Sequence, residues 1–143
     1  MTGHTPPTLA GIEGAVERLA GVAVHTPLIE NPVLNAHTGG RVLLKAETLQ
    51  RTGSFKFRGA YNFLSQIPAD TRTRGVVAYS SGNHAQGVAA AAEIFGVPAT
   101  IIMPADAPRA KVDNTLGYGA DVVVYDRQTE SRDEIATAIA DEA

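Results

Sequence analysis

From residue 75 onward, short apolar segments alternate with segments of helical pattern, and this alternation constrains the fold more than any other feature. Strands and helices that alternate at such lengths form βαβ units, in which the strands are parallel and the crossovers are right-handed. We therefore predict an α/β fold with three layers, αβα, around an open parallel sheet. The predicted strands are residues 76–79, 99–103 and 121–125, and the predicted helices are residues 85–95, 108–116 and 131–143.

The first half of the chain has a less regular pattern. After a polar leader (residues 1–8), Leu9–Leu19 carries apolar residues at helical spacing, which predicts an amphipathic helix that ends at Gly21. The polar stretch at residues 68–75 predicts a boundary between two units, residues 1–74 and 75–143. Three further elements are predicted: a short helix capped by Asn31, a strand at residues 41–46, and a helix at residues 55–66 that presents Ala60, Phe63, Leu64 and Ile67 to a core.

Composition and charge exclude several classes of protein. A hydrophobic fraction of 44% and a charged fraction of 19% are typical of a soluble globular chain. The net charge of -3, without any basic run, argues against a nucleic-acid or membrane surface. There is no cysteine, no histidine spacing suited to a metal, no apolar run of membrane-spanning length and no secretory pattern. We expect a cytoplasmic protein without a metal site.

Lys56 lies in the segment Gly-Ser-Phe-Lys-Phe-Arg-Gly-Ala at residues 53–60, which predicts a turn that enters a helix. Ser54 is a residue type suited to the N-cap of that helix. The rings of Phe55 and Phe57, the nearby arginines and the positive end of the helix dipole all disfavour an ammonium group. An amine kept neutral is a nucleophile that can form a Schiff base. The alternative is an ordinary solvated lysine, which the local sequence alone favours.

The segment Ser-Ser-Gly-Asn-His-Ala-Gln-Gly at residues 80–87 follows a predicted strand and begins the next helix. Ligands of open α/β sheets bind beyond the carboxyl ends of the strands, and the N–H groups of a helix N-terminus suit a carboxylate or phosphate. The hydroxyls of Ser80 and Ser81 add hydrogen-bonding groups, and the Asn83 amide offers both a donor and an acceptor. Ser81 and Asn83 could instead serve only as helix caps. His84 is a weaker candidate, for a general base.

Both segments resemble parts of one enzyme family. Residues 53–60, preceded by Leu-Lys-Ala-Glu-Thr-Leu-Gln-Arg-Thr at residues 44–52, resemble the cofactor-lysine segment of the threonine dehydratase and serine racemase family. Residues 80–87 resemble the asparagine loop of the same family. Its members are pyridoxal phosphate enzymes of fold type II, the tryptophan-synthase-β-like fold. The two motifs stand in the family's order, and the similarity extends from about Ala15 to the last residue.

The resemblance implies pyridoxal 5'-phosphate as the cofactor and a small amino acid as the substrate. Lys56 then holds the cofactor as a Schiff base and later removes the substrate's Cα proton, while Phe55 packs against the cofactor. Asn83 binds the cofactor's ring oxygen. Ser81 matches the position that is the opposite-face acid/base in serine racemases. The substrate carboxylate is bound by Ser80, Ser81, Gly82, Asn83 and His84.

The activity that the resemblance implies is dehydration and deamination of L-threonine or L-serine to a 2-oxo acid and ammonia. Serine racemase and 3-hydroxyaspartate dehydratase are the alternatives, because these activities differ in side-chain pocket residues that this sequence mostly lacks. The resemblance also assigns residues 1–74 to the N-terminal part of the large, cofactor-binding lobe and residues 75–143 to most of the small lobe.

The sequence departs from the family in one respect. The family's glycine-rich loop for the cofactor phosphate follows this region, and no Gly-Gly-Gly run occurs here. We therefore expect the front part of a two-lobed enzyme, without the C-terminal remainder of the large lobe. A non-catalytic fragment or ligand-binding module is the alternative of another class. An uncovered sheet edge and apolar face predict self-association, as a homo-oligomer.

Overall fold

A computed structural model describes residues 6–142, so most of the predicted leader and the predicted helical residue 143 lie outside the described range. Short 3-10 turns at Glu47–Leu49 and Arg51–Gly53 connect the second strand to the third helix. In chain order, the elements of the described range are α1 (Leu9–Leu19), β1 (Leu28–Glu30), α2 (Pro32–Thr38), β2 (Leu43–Lys45), α3 (Lys56–Leu64), β3 (Val76–Tyr79), α4 (Asn83–Phe95), β4 (Ala99–Pro104), α5 (Arg109–Gly117), β5 (Asp121–Tyr125) and α6 (Arg132–Glu142).

The three strands β3, β4 and β5 form a parallel sheet in that order. Ala78 pairs with Ile101, and Ile101 pairs with Val122, and all three side chains belong to the core that α4 helps to form. Val77 points to the opposite face, where it lines a cavity together with Ile139 of α6. Helices therefore cover both faces of the sheet. This confirms the predicted three-layer αβα arrangement.

The core lies between α3, α4 and the sheet. The residues of α3 that it buries are Phe57, Ala60, Tyr61 and Leu64. Phe63 was predicted to face the core, and that prediction is wrong, because its side chain is 64% exposed. The buried stripe of the helix runs from Phe57 through the turns that contain Tyr61 and Leu64, and Phe63 lies off that stripe. Alanines dominate the facing part of α4, which allows the two helices to approach closely.

Of the helix caps predicted at Asn31 and Ser54, the structure confirms the first and contradicts the second. The cap at Asn31 is confirmed, because its side chain accepts hydrogen bonds from the N–H groups of Val33 and Leu34. The cap at Ser54 is wrong: α3 begins one residue later than predicted, after Phe55, and has no side-chain cap. The backbone of Ser54 is instead extended, and its side chain is buried.

In the N-terminal part, β1 and β2 form an antiparallel ribbon in which Leu28 pairs with Lys45. The predicted strand at residues 41–46 is therefore shorter than expected. The core joins α3 and α4 across the predicted boundary at residues 68–75, and the division at residue 74 stays a prediction. Within residues 6–142, no helix combines the length and the apolar character needed to cross a membrane.

Candidate active site

The predicted substrate loop lies at the carboxyl edge of the parallel sheet. β3 ends at Tyr79, and the N–H of Ser80 still donates to the carbonyl of Ile102 at 3.0 Å. The chain then turns through Ser81 and Gly82 into α4. This is the edge at which open α/β sheets bind their ligands.

The N-terminus of α4 has no side-chain cap. Gly82 is the N-cap residue, and neither Ser81 nor Asn83 caps the helix, so the capping alternative is wrong. The Ser80 hydroxyl instead accepts a hydrogen bond from the N–H of Gly82 at 3.2 Å. The first backbone N–H groups of a helix have no intrahelical partner and carry a partial positive charge. The first turn of α4 is therefore able to bind an anion.

Lys56 is the first residue of α3 and is exposed. Its Nζ lies 5.2 Å from the ring centroid of Phe55, which is itself 59% exposed. Phe57 is 0% exposed and packs in the core, with its ring 5.8 Å from that of Tyr61. The two phenylalanines that flank Lys56 therefore have different roles. Phe57 anchors the segment, and Phe55 remains beside the amine.

The turn that precedes Lys56 contains two residues with positive φ angles, and an ion pair supports it. Thr52 and Gly53 both have positive φ angles, of 62° and 69°, and a threonine rarely adopts that conformation without surrounding support. Arg58 donates to both carboxylate oxygens of Glu47 at 2.8 Å, and Thr26 donates to one of them at 2.6 Å. The Arg58 guanidinium lowers the pKa of Glu47 to about 2. The charge of Arg58 is thus paired with a carboxylate. This pairing weakens the electrostatic repulsion that the nearby arginines were expected to exert on the Lys56 ammonium group.

The start of α3 and the first turns of α4 lie in direct contact. A Cβ on Gly87 would lie 3.1 Å from the carbonyl carbon of Lys56 and 3.1 Å from the amide nitrogen of Phe57. Such a distance is tighter than ordinary van der Waals contact, so the close approach depends on the glycine. The two predicted site segments, which are far apart in sequence, are therefore adjacent in the fold.

Electrostatics also link the two segments. The pKa of His84 is lowered from its usual value, first because the surrounding protein desolvates the imidazole and second because the charge of Lys56 repels a proton there. A lowered pKa leaves His84 neutral at pH 7, with one ring nitrogen free to accept a proton or a hydrogen bond.

Two further residues contribute to this site, although the sequence analysis gave neither of them a role. Lys111 of α5 donates from Nζ to Oδ1 of Asn83 at 2.8 Å. Gly87 was part of the second motif but had no assigned role. Lys111 could have been noticed because it follows the carboxyl end of the second sheet strand, at the same edge as the loop. The need for glycine at position 87 has no comparable local signal, because it depends on packing between two helices.

Comparisons with known proteins agree with these observations. Residues 20–143 match the family model described as "Pyridoxal-phosphate dependent enzyme". The chain is 56% identical over 128 residues to the L-threo-3-hydroxyaspartate ammonia-lyase of Pseudomonas sp, covering 90% of this chain and 40% of that protein. It is 45% identical over 135 residues to the serine racemase of Schizosaccharomyces pombe, covering 94% of this chain and 42% of that protein.

A solved structure also resembles the chain. The serine racemase of maize superposes with a TM-score of 0.85 and 37% sequence identity, covering 92% of this chain and 40% of that chain. The chain thus spans about 40% of the length of the curated relatives that it matches.

Proposed function

The chain belongs to the pyridoxal-phosphate dependent enzyme family, and from this premise we propose that Lys56 anchors pyridoxal phosphate in the full-length protein. The full-length protein acts as an ammonia-lyase on a small β-hydroxy amino acid, L-threonine or L-serine, and yields a 2-oxo acid and ammonia. The observation that carries this proposal is the contact between the Lys56 backbone and α4, the helix whose N-terminus has no side-chain cap. The charge of Lys56 also acts on His84, in the first turn of that helix.

The residues of this chain suit the aldehyde and ring end of the cofactor. Lys56 offers an exposed primary amine, and the neighbouring ring of Phe55 offers an apolar surface. The Nδ2 group of Asn83 can donate to the ring oxygen, because Oδ1 already accepts from Lys111. The sequence contains no Gly-Gly-Gly run, so we assign the phosphate group to no residue of this chain.

Bound pyridoxal phosphate supplies an electron sink that makes the substrate's Cα proton removable. Lys56 takes that proton on its freed amine, as a general base held at the start of a rigid helix. The substrate then loses its β-hydroxyl group as water and its amino group as ammonia. Hydrolysis returns one water, so the net products are the 2-oxo acid and ammonia.

The loop after β3 orients the substrate for this reaction. The backbone N–H groups at the start of α4 bind the substrate carboxylate, with the side chains of Ser80, Asn83 and His84 around it. Gly82 keeps that terminus open, because it contributes no side chain that could fill the anion position. A fixed carboxylate directs the Cα–H bond toward the Lys56 amine.

Two alternatives remain for the reaction. Racemisation needs an acid on the face opposite Lys56, and the exposed hydroxyl of Ser81 is the candidate for that role. Dehydration of 3-hydroxyaspartate is supported by the relative from Pseudomonas sp, which is named for that substrate. An alternative of another class, a non-catalytic ligand-binding segment, is supported by the span of about 40% of the relatives' length.

Family membership also supports proposals on the lobes, the oligomeric state and the location of the protein. Residues 1–74 form part of a large lobe and residues 75–143 most of a small lobe. Large apolar side chains are exposed at Leu9, Val16, Val33 and Phe63, which supports a homo-oligomeric protein. The absence of cysteine fits a reducing, cytoplasmic location.

A product assay tests the proposed activity. The full-length protein, loaded with pyridoxal phosphate, is incubated separately with L-threonine, L-serine and L-threo-3-hydroxyaspartate. The 2-oxo acid and ammonia are measured together in each reaction, and D-serine is measured in the reaction with L-serine. Equal amounts of the two products from L-threonine or L-serine support the proposal. Release from 3-hydroxyaspartate alone favours that dehydratase, and D-serine without a 2-oxo acid favours a racemase. A protein that binds the cofactor but converts none of the substrates is the non-catalytic alternative.

A further inference from the structure

Two side chains of α5 hold the first turn of α4. Lys111 Nζ donates to Asn83 Oδ1 at 2.8 Å, and one helical turn further along, Asn114 Nδ2 donates to Gln86 Oε1 at 3.0 Å. Both contacts join residues that are 28 positions apart in sequence. The helix that follows β4 thus supports the loop that follows β3.

The bond from Lys111 has a consequence for the orientation of the Asn83 amide. The end group of asparagine has one oxygen, which accepts, and one nitrogen, which donates, and rotation by half a turn exchanges them. An ammonium group has three donors and no acceptor, so it can bind only the oxygen. Lys111 therefore selects one of the two orientations and turns the Nδ2 group of Asn83 away from α5.

We infer that Lys111 is a positioning residue, which fixes Asn83 so that its Nδ2 group donates to the ring oxygen of pyridoxal phosphate. This inference rests on the proposed function, since it takes the cofactor to lie beside Asn83. Hydrogen bonds to a charged donor are shorter and stronger than neutral ones, and chains of hydrogen bonds polarise one another. Lys111 thus makes Nδ2 a better donor, and a donor at that position keeps the ring oxygen ionised.

A purely structural role for Lys111 makes a different prediction. Asn114 and Gln86 already join the same two helices, and Lys111 is only half-buried, so loss of its amine leaves the packing of α5 intact. The absorbance of the bound cofactor, rather than the stability of the protein, distinguishes the positioning role of Lys111 from a purely structural role. Bound pyridoxal phosphate absorbs at longer wavelength when its ring oxygen is ionised and at shorter wavelength when that oxygen is protonated.

The test compares Lys111→Met with Arg109→Met in the full-length protein. Met keeps most of the length of the lysine side chain but removes its donor. Arg109 lies on the same helix, pairs with Asp113 and is 88% exposed, so its replacement removes an equal charge without touching Asn83. For each protein, the ratio of the two absorbance bands and the Kd for pyridoxal phosphate are measured. The side-chain amide protons of Asn83 are followed by NMR in the cofactor-free protein.

In Lys111→Met, we expect a shift toward the short-wavelength band, about tenfold weaker cofactor binding, and a changed Asn83 amide signal. Arg109→Met should match the wild-type protein, and Lys111→Arg, which retains a donor, should restore most of the long-wavelength band. A Lys111→Met spectrum and Kd equal to those of the wild-type protein would overturn the inference alone. A wild-type protein that shows no cofactor band would overturn the proposed function as well, which separates the two failures.

Discussion

Gly87 lies against the backbone of Lys56, so closely that an added Cβ would be 3.1 Å from the Lys56 carbonyl carbon. The atoms that it would meet belong to the backbone at the start of α3 and cannot rotate away. This contact sets the backbone of Lys56 against α4, about one turn after its open N-terminus. The close approach of the two predicted site segments therefore depends on a residue that has no side chain.

The first prediction concerns this contact. Gly87→Ala gains about 1 kcal/mol of helix propensity but overpacks the contact at a cost of about 1–3 kcal/mol, so we expect a net loss of stability. Gly59 is the matched control, because it also lies inside a helix and an added Cβ there would meet nothing within 4 Å. Gly59→Ala should gain stability. Denaturant unfolding measures both variants, and an equal gain in both would contradict the packing account.

The second prediction concerns the two phenylalanines that flank Lys56. Phe57 is 0% exposed, and Phe57→Ala should lower the free energy of unfolding by about 3–5 kcal/mol. Phe55 is 59% exposed, and Phe55→Ala should change stability by no more than about 0.5 kcal/mol. Binding of pyridoxal phosphate should nevertheless weaken in Phe55→Ala. Similar free energies of unfolding for the two variants would contradict the assignment of Phe57 to the core and of Phe55 to the candidate site.

The third prediction concerns the dependence of stability on pH. The pKa of Glu47 is lowered from 4.5 to about 2 in the folded protein, mainly by hydrogen bonds from Arg58. The stabilisation is therefore complete above pH 4.5 and is lost as the pH falls toward about 2. Glu47→Gln should cost roughly 2–3 kcal/mol at neutral pH and flatten the acid branch of the stability curve.

A matched control for Glu47 is the exposed pair of Glu30 and Arg41. Exposed ion pairs contribute little to stability, so Glu30→Gln should leave the curve close to that of the wild-type protein. The free energy of unfolding is measured by denaturant titration at a series of pH values. A curve for Glu47→Gln that retains the wild-type acid slope would refute the assignment of that slope to Glu47.

The fourth prediction concerns His84. Its pKa lies below the usual value of 6.5, through desolvation and through the charge of Lys56. Lys56→Met removes the second cause and should raise the pKa of His84, although desolvation keeps it below 6.5. Lys45→Met removes a lysine that instead donates to the carbonyl of Thr26, and it should leave the His84 titration unchanged. NMR titration of the imidazole protons gives each midpoint, and an unchanged midpoint in Lys56→Met would disprove the coupling.

Local sequence pattern was sufficient for the sheet and its helices. The apolar segments at residues 76–79 and 121–125 match β3 and β5, because a buried strand between turns is encoded by its own residues. The cap at Asn31 was predictable for the same reason, since it involves residues three positions apart or fewer.

The errors arose where packing between distant segments decides the outcome. α3 starts one residue later than predicted, which leaves Ser54 without a capping role. The buried stripe of α3 contains Phe57 and Tyr61 and leaves Phe63 exposed. That choice of face is set by Phe57 packing into the core with α4, which no local pattern specifies. The bond from Lys111 to Asn83 joins residues 28 positions apart and was missed for the same reason.

The central claim is that Lys56 is the covalent anchor for pyridoxal phosphate. The sequence contains two other lysines, Lys45 and Lys111, which serve as internal controls. The measurement is borohydride reduction of the cofactor-loaded, full-length protein, followed by proteolysis and mass spectrometry of the labelled peptide. We predict a single pyridoxyl label on Lys56 that disappears in Lys56→Arg. A label on Lys45 or Lys111, or no label on any lysine, would contradict the claim.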